Sequence, residues 1–214
     1  MKNVIFLHIA KMGEYQEVFD EIINKIIESK LNQNVEKIFL SVVGNGFDLI
    51  LPKINNIIIY QSDNIKLGEL HTLNKLIDFC KFNENYNVLY LHSKGVSKGN
   101  ECINDWREYM IYFNIEKWEE CIKILKEYDA CGVDLRSKPA LHYSGNFWWA
   151  TSNHINTLSK ISDVHIPIPP LNDGHKVEFW ITSQNKKHFS IWDCGIDVYE
   201  RHLYRYEKNK YNNG

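Results

Sequence analysis

Apolar runs and amphipathic stretches alternate through the first ninety residues. Residues 4–8 form a short apolar run. In residues 14–29, Val18, Phe19, Ile22, Ile23, Ile26 and Ile27 then recur at helical spacing. A second apolar run covers residues 37–43 and closes at Gly44 and Gly46, and a third covers 56–60. Leu70, Leu73, Leu76, Ile77 and Cys80 mark one side of a helix predicted over 67–82, and a fourth run spans 87–91. These runs are apolar at consecutive positions, so they are buried on both faces. Such strands alternating with amphipathic helices predict a parallel sheet covered by helices, a Rossmann-like half.

The second half is less regular. Periodicity predicts helices over 104–113 and 115–128, with Asn114 as a cap between them. Short strands are expected over 130–135 and 146–150, followed by a helix over 152–159. Pro167, Pro169 and Pro170 predict a loop, residues 172–174 a turn, and a short helix is expected to start at Glu178. With no internal repeat and no low-complexity linker, the expectation is a single α/β domain over 1–200. A polar and aromatic tail without clear period follows over 201–214.

Composition narrows the function classes. The chain has 214 residues, 44% hydrophobic and 24% charged, as expected of a soluble globular protein. A net charge of −2 gives no electrostatic basis for a nucleic-acid partner. The five cysteines are odd in number, scattered and without a Cys-x-x-Cys pair, which points away from a disulfide framework or zinc site and towards a reducing compartment. The first apolar run is too short for a signal peptide, and no stretch approaches the ~20 apolar residues of a spanning helix. A cytoplasmic protein without a membrane span is therefore expected. Six Trp and twelve Tyr suit the faces of sugar rings and also suit a core.

Two segments carry the candidate chemistry. In the first, the strand over 87–91 stops at His92, Ser93, Lys94 and Gly95, and the carboxyl ends of strands are where open α/β sheets bind ligands. The second, residues 142–150, is aromatic-rich and broken by Gly145, with the carboxylate of Glu178 downstream. This pairing suggests a sugar pocket with a base beside it.

The order Tyr90-Leu-His-Ser-Lys-Gly95, Trp106-Arg107, Gly132-Val-Asp134, Ser144-Gly-Asn-Phe-Trp-Trp149 and Glu178-Phe-Trp-Ile181 resembles GT-A-fold glycosyltransferases. It is similar to uncharacterised bacterial members and to glycosyltransferase domains of large DNA viruses, over residues 3–183. The resemblance implies a GT-A-like, mostly parallel sheet flanked by helices. It also implies transfer of a sugar from a nucleoside diphosphate, a UDP-sugar foremost, to a glycan or other hydroxyl acceptor, in the host cytoplasm if the source is viral.

By the same resemblance Glu178 is the catalytic base, with Asp173 behind it. His8, Ala10 and Asp63 seat the nucleotide, and His92, Ser93, Lys94 and Gly95 meet the diphosphate. Gly145, Asn146, Trp148 and Trp149 line the sugar, with Asp134 and Arg136 on the acceptor side. Adjacent strand residues face opposite ways, so one of the two tryptophans belongs to the core. A divalent ion, Mn²⁺ or Mg²⁺, is implied as cofactor, yet His92-Ser-Lys94 stands where Asp-x-Asp is expected. Three readings stay open: Lys94 supplies the charge directly, His92 and Asp63 hold the ion, or the segment is a solvated turn. Competing functions are a nucleotidyltransferase or nucleotide-sugar hydrolase, and a non-catalytic nucleotide- or sugar-binding module. The missing Gly-x-Gly-x-x-Gly and Walker motifs weigh against the first pair; the missing Asp-x-Asp favours the last.

Overall fold

The computed structural model describes residues 1–46, 48–96, 99–166, 173–197 and 199–212, with 173–175 described by backbone alone. The first half alternates strand and helix: β1 (Lys2–Ala10), α1 (Tyr15–Glu28), β2 (Lys37–Val43), β3 (Ile57–Ser62), α2 (Leu70–Phe82) and β4 (Tyr86–His92). Next come α3 (Glu101–Ile111), a π-helical turn (Tyr112–Glu116), α4 (Trp118–Ile124), β5 (Ala130–Gly132), and the small pair β6 (Leu135–Arg136) and β7 (His142–Tyr143). Then follow β8 (Trp148–Thr151), α5 (Ser152–Thr157), α6 (Asp173–Trp180), β9 (His188–Ser190) and a 3-10 turn (Lys208–Lys210).

Seven strands form one sheet in the order β3-β2-β1-β4-β8-β5-β9. β1, β2, β3 and β4 are parallel neighbours, β8 runs antiparallel to both β4 and β5, and β9 is parallel to β5. The sheet is therefore mostly parallel, with β8 reversed inside it. The chain winds outward from β1 to β3, then crosses back to place β4 on the other side of β1.

Strand alternation divides the core between the two faces. Ile5, Leu7 and Ile9 pack with Phe19, Ile22 and Ile26 of α1 and with Tyr109 and Met110 of α3. Val4 and Phe6 face the other way, onto Leu73, Leu76 and Cys80 of α2 and Trp180 of α6. Both layers share the one sheet, so the described residues form a single α/β domain. Among them, no helix is long and apolar enough to cross a membrane.

Two expectations are corrected. Asn114 caps no helix: α3 runs directly into the π turn, where Asn114 is fully buried and its Nδ2 donates to the Met110 carbonyl at 2.9 Å. The Asn114 carbonyl in turn accepts from Trp149 Nε1 at 2.9 Å, so the backbone oxygen of this buried residue is satisfied by a side chain of β8. Glu178 does not start a helix but sits in the last turn of α6. Residues 201–212 dock on the domain: Arg201, Tyr206 and Tyr211 are buried and Arg205 pairs with Asp105 of α3 at 2.5 Å. Side-chain anchors on an irregular chain hold this segment, and such anchoring leaves no period in the sequence. The expected proline loop, 167–170, and the start of the expected turn, 172, lie outside the described residues.

Candidate functional site

The carboxyl ends of β1 and β4 open on a cavity of about 510 Å³, lined by His8, Ala10, Glu69, His92, Ser93 and Val177 among others. His8 and His92 are register partners on these neighbouring strands, so their side chains leave the sheet on the same face. The connection from β3 to α2 forms one wall and α6 contributes Val177. Depressions of about 650 Å³ beside Asp129 and about 670 Å³ between α2 and α5 are larger. Neither is lined by a buried histidine or carboxylate, so chemistry rather than volume selects the sheet-edge cavity.

A hydrogen-bond network stands behind this cavity. Glu69, just ahead of α2, accepts at Oε2 from the Tyr90 hydroxyl at 2.7 Å and from Asn146 Nδ2 at 2.8 Å. The orientation of the Asn146 amide follows from Trp148, whose indole N–H can only donate and reaches Asn146 Oδ1 at 3.0 Å. Asn146 lies in the left-handed region at φ 58°, which asparagine tolerates better than most side chains. His92 Nε2 is 2.9 Å from the Gly145 carbonyl. A carbonyl only accepts, so Nε2 carries the hydrogen and Nδ1 is left towards Glu69 Oε1, 3.9 Å away.

Electrostatics sort the three titratable groups. Burial pushes the His8 imidazole down to about 4, against the pull of Glu69 and helped by His92 and His71, so His8 is neutral at pH 7. Its Nδ1 shares a hydrogen bond with Thr72 Oγ1 at 2.8 Å. For Glu69, burial works upward. The attraction of His92 and His8, the Tyr90 hydrogen bond and the charge of Lys94 outweigh it, and the carboxyl lies below the usual range. Since His8 is itself uncharged at neutral pH, its pull is absent there, and the Tyr90 and Asn146 donors and the Lys94 charge support the carboxylate. Tyr90 is held well above its ordinary value by burial and by Glu69, so it remains a donor.

The structure brings together His8, Ala10, His92 and Ser93. The Ser93 hydroxyl accepts from the Ala10 N–H at 3.0 Å and the Ser93 N–H donates to the His8 carbonyl at 2.9 Å, tying the two strand ends together. Asn146 joins them through Glu69, and Trp148, fully buried, stacks on Tyr90 with centroids 5.1 Å apart. Trp149 points to the other face. Asp63 accepts from the Gly46 N–H at 3.2 Å and braces the loop after β2. The Lys94 ammonium lies over the Trp106 ring, 4.4 Å from its centroid. Gly95 sits at φ 87° against α3, where a Cβ would come within 2.5 Å of Ile103 Cγ2. Glu178 follows Val177, which lines the cavity; the side chain of Asp173 lies outside the described residues.

Gly145 is held by close approach. Its φ is 93°, and a Cβ there would lie 2.4 Å from Met110 Sδ and 3.2 Å from Trp106 Nε1. Gly145→Ala is expected to cost about 2–4 kcal/mol, from overpacking and a left-handed alanine together. Urea unfolding checks this, and a midpoint unchanged from wild type would mean that α3 yields freely.

Glu69, Tyr90 and Thr72 are functional candidates that the sequence reading missed. The available signal for Glu69 was its place: a lone carboxylate after Gly68, between a strand end and a helix start, on the edge where ligands bind.

Asp134 and Arg136 belong to a second cluster. Asp134 is 1% exposed at φ 49°. It accepts from the Cys194 N–H at 2.8 Å, the Tyr109 hydroxyl at 3.2 Å and Arg136 at 3.1 Å, and Arg201 lies 3.8 Å away. Arg201 is itself buried among Trp106, Tyr109 and Tyr206, whose ring centroids are 5.6, 4.9 and 5.0 Å from its Cζ. Asp134, Asp193 and Cys194 place one ligand atom each within 4.8 Å of one another, alone among the described residues. The spacing is that of a divalent-ion site, but the charge is not. Arg136 also binds Asp193 at 2.7 Å, and burial pushes the Cys194 thiol up to about 11, so it keeps its proton. An ion would have to displace a guanidinium. The strand end fits an ion no better: Ser93 serves Ala10, Asp63 serves Gly46, the third position is a lysine, and among the described residues no three ligand atoms converge there.

The sequence profile of a domain of unknown function, DUF8361, matches residues 4–167. The crystal structure of Rv0371c from Mycobacterium tuberculosis H37Rv aligns at 7% identity over 95% of this chain and 97% of that one, with a TM-score of 0.47. The Rv0371c complex with manganese aligns at 6% identity over 95% and 98%, with a TM-score of 0.44. No curated protein matches the chain. With residues 4–167 of 214 matched, the chain belongs to the DUF8361 family.

Proposed function

We propose that this protein is a glycosyltransferase of GT-A type that takes a nucleoside-diphosphate sugar, a UDP-sugar foremost, and passes the sugar to a glycan or other hydroxyl acceptor. The observation that carries the reading is the position of the cavity. It lies outside the carboxyl ends of β1 and β4, where the strand order turns back on itself, and ligands of open α/β sheets bind at that switch point. In this reading the cavity takes the donor. Lys94, carried on the Trp106 ring, offsets charge on the departing diphosphate. Glu178, next to the cavity wall, accepts the proton of the acceptor hydroxyl. The acceptor oxygen bonds to the anomeric carbon as the bond from that carbon to the diphosphate oxygen breaks, and the electron pair leaves with the nucleotide.

The test is a thermal-shift series of nucleoside diphosphates and their sugars, each with Mn²⁺, Mg²⁺ and EDTA. Saturation near 100 Kd adds about 2.7 kcal/mol of stability. Glu178→Gln is expected to lower transfer about 100-fold or more while binding persists. Absence of any shift with every nucleotide would sink the proposal.

A second reading, a non-catalytic binding module, is favoured by one observation. The side chains of His92, Ser93 and Lys94 all have partners within the protein, Gly145, Ala10 and Trp106. A module of this kind would be stabilised by the nucleotide sugar yet never release free nucleotide.

A further inference from the structure

The cavity holds polar atoms that the surrounding protein leaves without partners. Both donors that reach Glu69, Tyr90 and Asn146, end on Oε2. Its Oε1 has His92 Nδ1 at 3.9 Å, too far for a hydrogen bond. With the hydrogen on Nε2 both atoms are acceptors, so two neighbouring hydroxyls, one donating to each, suit that gap. His8 lines the same cavity and is 3% exposed; its Nδ1 is engaged by Thr72, and its Nε2 makes no hydrogen bond with the described residues. Glu69 Oε1 and His8 Nε2 therefore face the cavity with hydrogen-bonding capacity that a ligand can take up in place of water.

We infer that Glu69, His92 and His8 form a recognition site for a vicinal diol. Three alternatives fit less well. A metal ion needs its ligand atoms to converge, and among the described residues this trio does not bring them within 4.8 Å of one another. A phosphate would meet the ionised Glu69 carboxylate and be repelled. An apolar group would leave all three atoms unsatisfied. A hydroxyl can donate to the carboxylate and either donate to or accept from an imidazole, so neighbouring hydroxyls on a sugar ring match the set. The inference rests on the glycosyltransferase reading only for the source of the diol, which is either the nucleotide's ribose or the sugar being transferred.

The experiment follows the His8 and His92 imidazole resonances in histidine-labelled protein. Its probes are UDP, 2′-deoxy-UDP, UDP-glucose, free glucose and free ribose, applied to wild type and Glu69→Gln. Gln keeps one oxygen for Tyr90 and Asn146 and replaces Oε1 with a donor, and melting temperature checks that the variant is folded. The expected result is that a diol-bearing probe moves both resonances, and that Glu69→Gln binds that probe about 10–100-fold more weakly. Weaker binding of 2′-deoxy-UDP than UDP assigns the ribose; tighter binding of UDP-glucose than UDP, lost in the variant, assigns the hexose.

Free sugars that move both resonances while no nucleotide binds would support the diol site and remove the glycosyltransferase reading. Nucleotides that bind with both resonances still, or equally well to Glu69→Gln, would overturn the diol site and leave that reading standing. If the variant does not fold, the wild-type resonances decide alone.

Discussion

Asp134→Ala is expected to remove about 3–5 kcal/mol of folding stability, the size seen when one partner of a buried ion pair is deleted. Asp134 is the common acceptor of the second cluster. Without its carboxylate, Arg201 remains buried among three rings without its nearest counter-charge among the described residues, and the Tyr109 hydroxyl and Cys194 N–H lose their acceptor. The backbone adds to the loss, because alanine at φ 49° lacks the local hydrogen bonding that lets aspartate and asparagine occupy that region. Asp134→Asn separates the two causes: it tolerates the backbone and keeps an acceptor but carries no charge, so an intermediate loss is expected. Urea unfolding of both variants gives the comparison. A wild-type midpoint for Asp134→Ala would mean that Arg136 and Arg201 find their counter-charge elsewhere.

Acid is expected to weaken the fold well before its carboxylates protonate. His8 lies at about 4 in the folded chain because burial opposes its charge, against an ordinary value of 6.5. The unfolded chain therefore binds a proton first as pH falls. The stability contributed by keeping His8 neutral is complete above pH 6.5 and is lost as pH drops towards 4. His8 alone accounts for about 2 kcal/mol between pH 7 and pH 5. His188, pushed down to about 4 by burial and by its neighbour His154, acts in the same direction, as does His154 itself. Their rings meet edge to face with centroids 5.5 Å apart, so protonating one discourages the other. Unfolding free energies measured from pH 7 to pH 4.5 check this. A flat profile between pH 6.5 and 5 would mean that these rings reach water in the native state.

Strand and helix periods made the first half readable. Residues 37–43 were expected as a strand and form β2 over the same span, because both faces of that strand are buried and its apolar run is unbroken. Half of the cavity was readable by the same logic: the polar residues that end β1 and β4 had to lie at the sheet edge. Glu69 escaped because its role depends on Asn146, 77 residues away, and on Tyr90, whose place in an apolar strand disguises its hydroxyl. Asp134 and Arg136 were expected beside a sugar; among their partners Asp193, Cys194 and Arg201 come from a stretch with no regular pattern. The π turn was unreadable for a related reason: Asn114 looks like a helix stop unless its contact with Trp149 is known.

The docking of residues 201–212 also has a consequence for biosynthesis. Arg205 meets Asp105 across 100 positions of sequence, and Tyr206 and Tyr211 cover Tyr109. At roughly 5–20 residues per second, a ribosome needs about 5–20 s to deliver the cover after α3 has emerged. During that interval the aromatic flank of α3 faces the cell unshielded, a target for chaperones and for self-association.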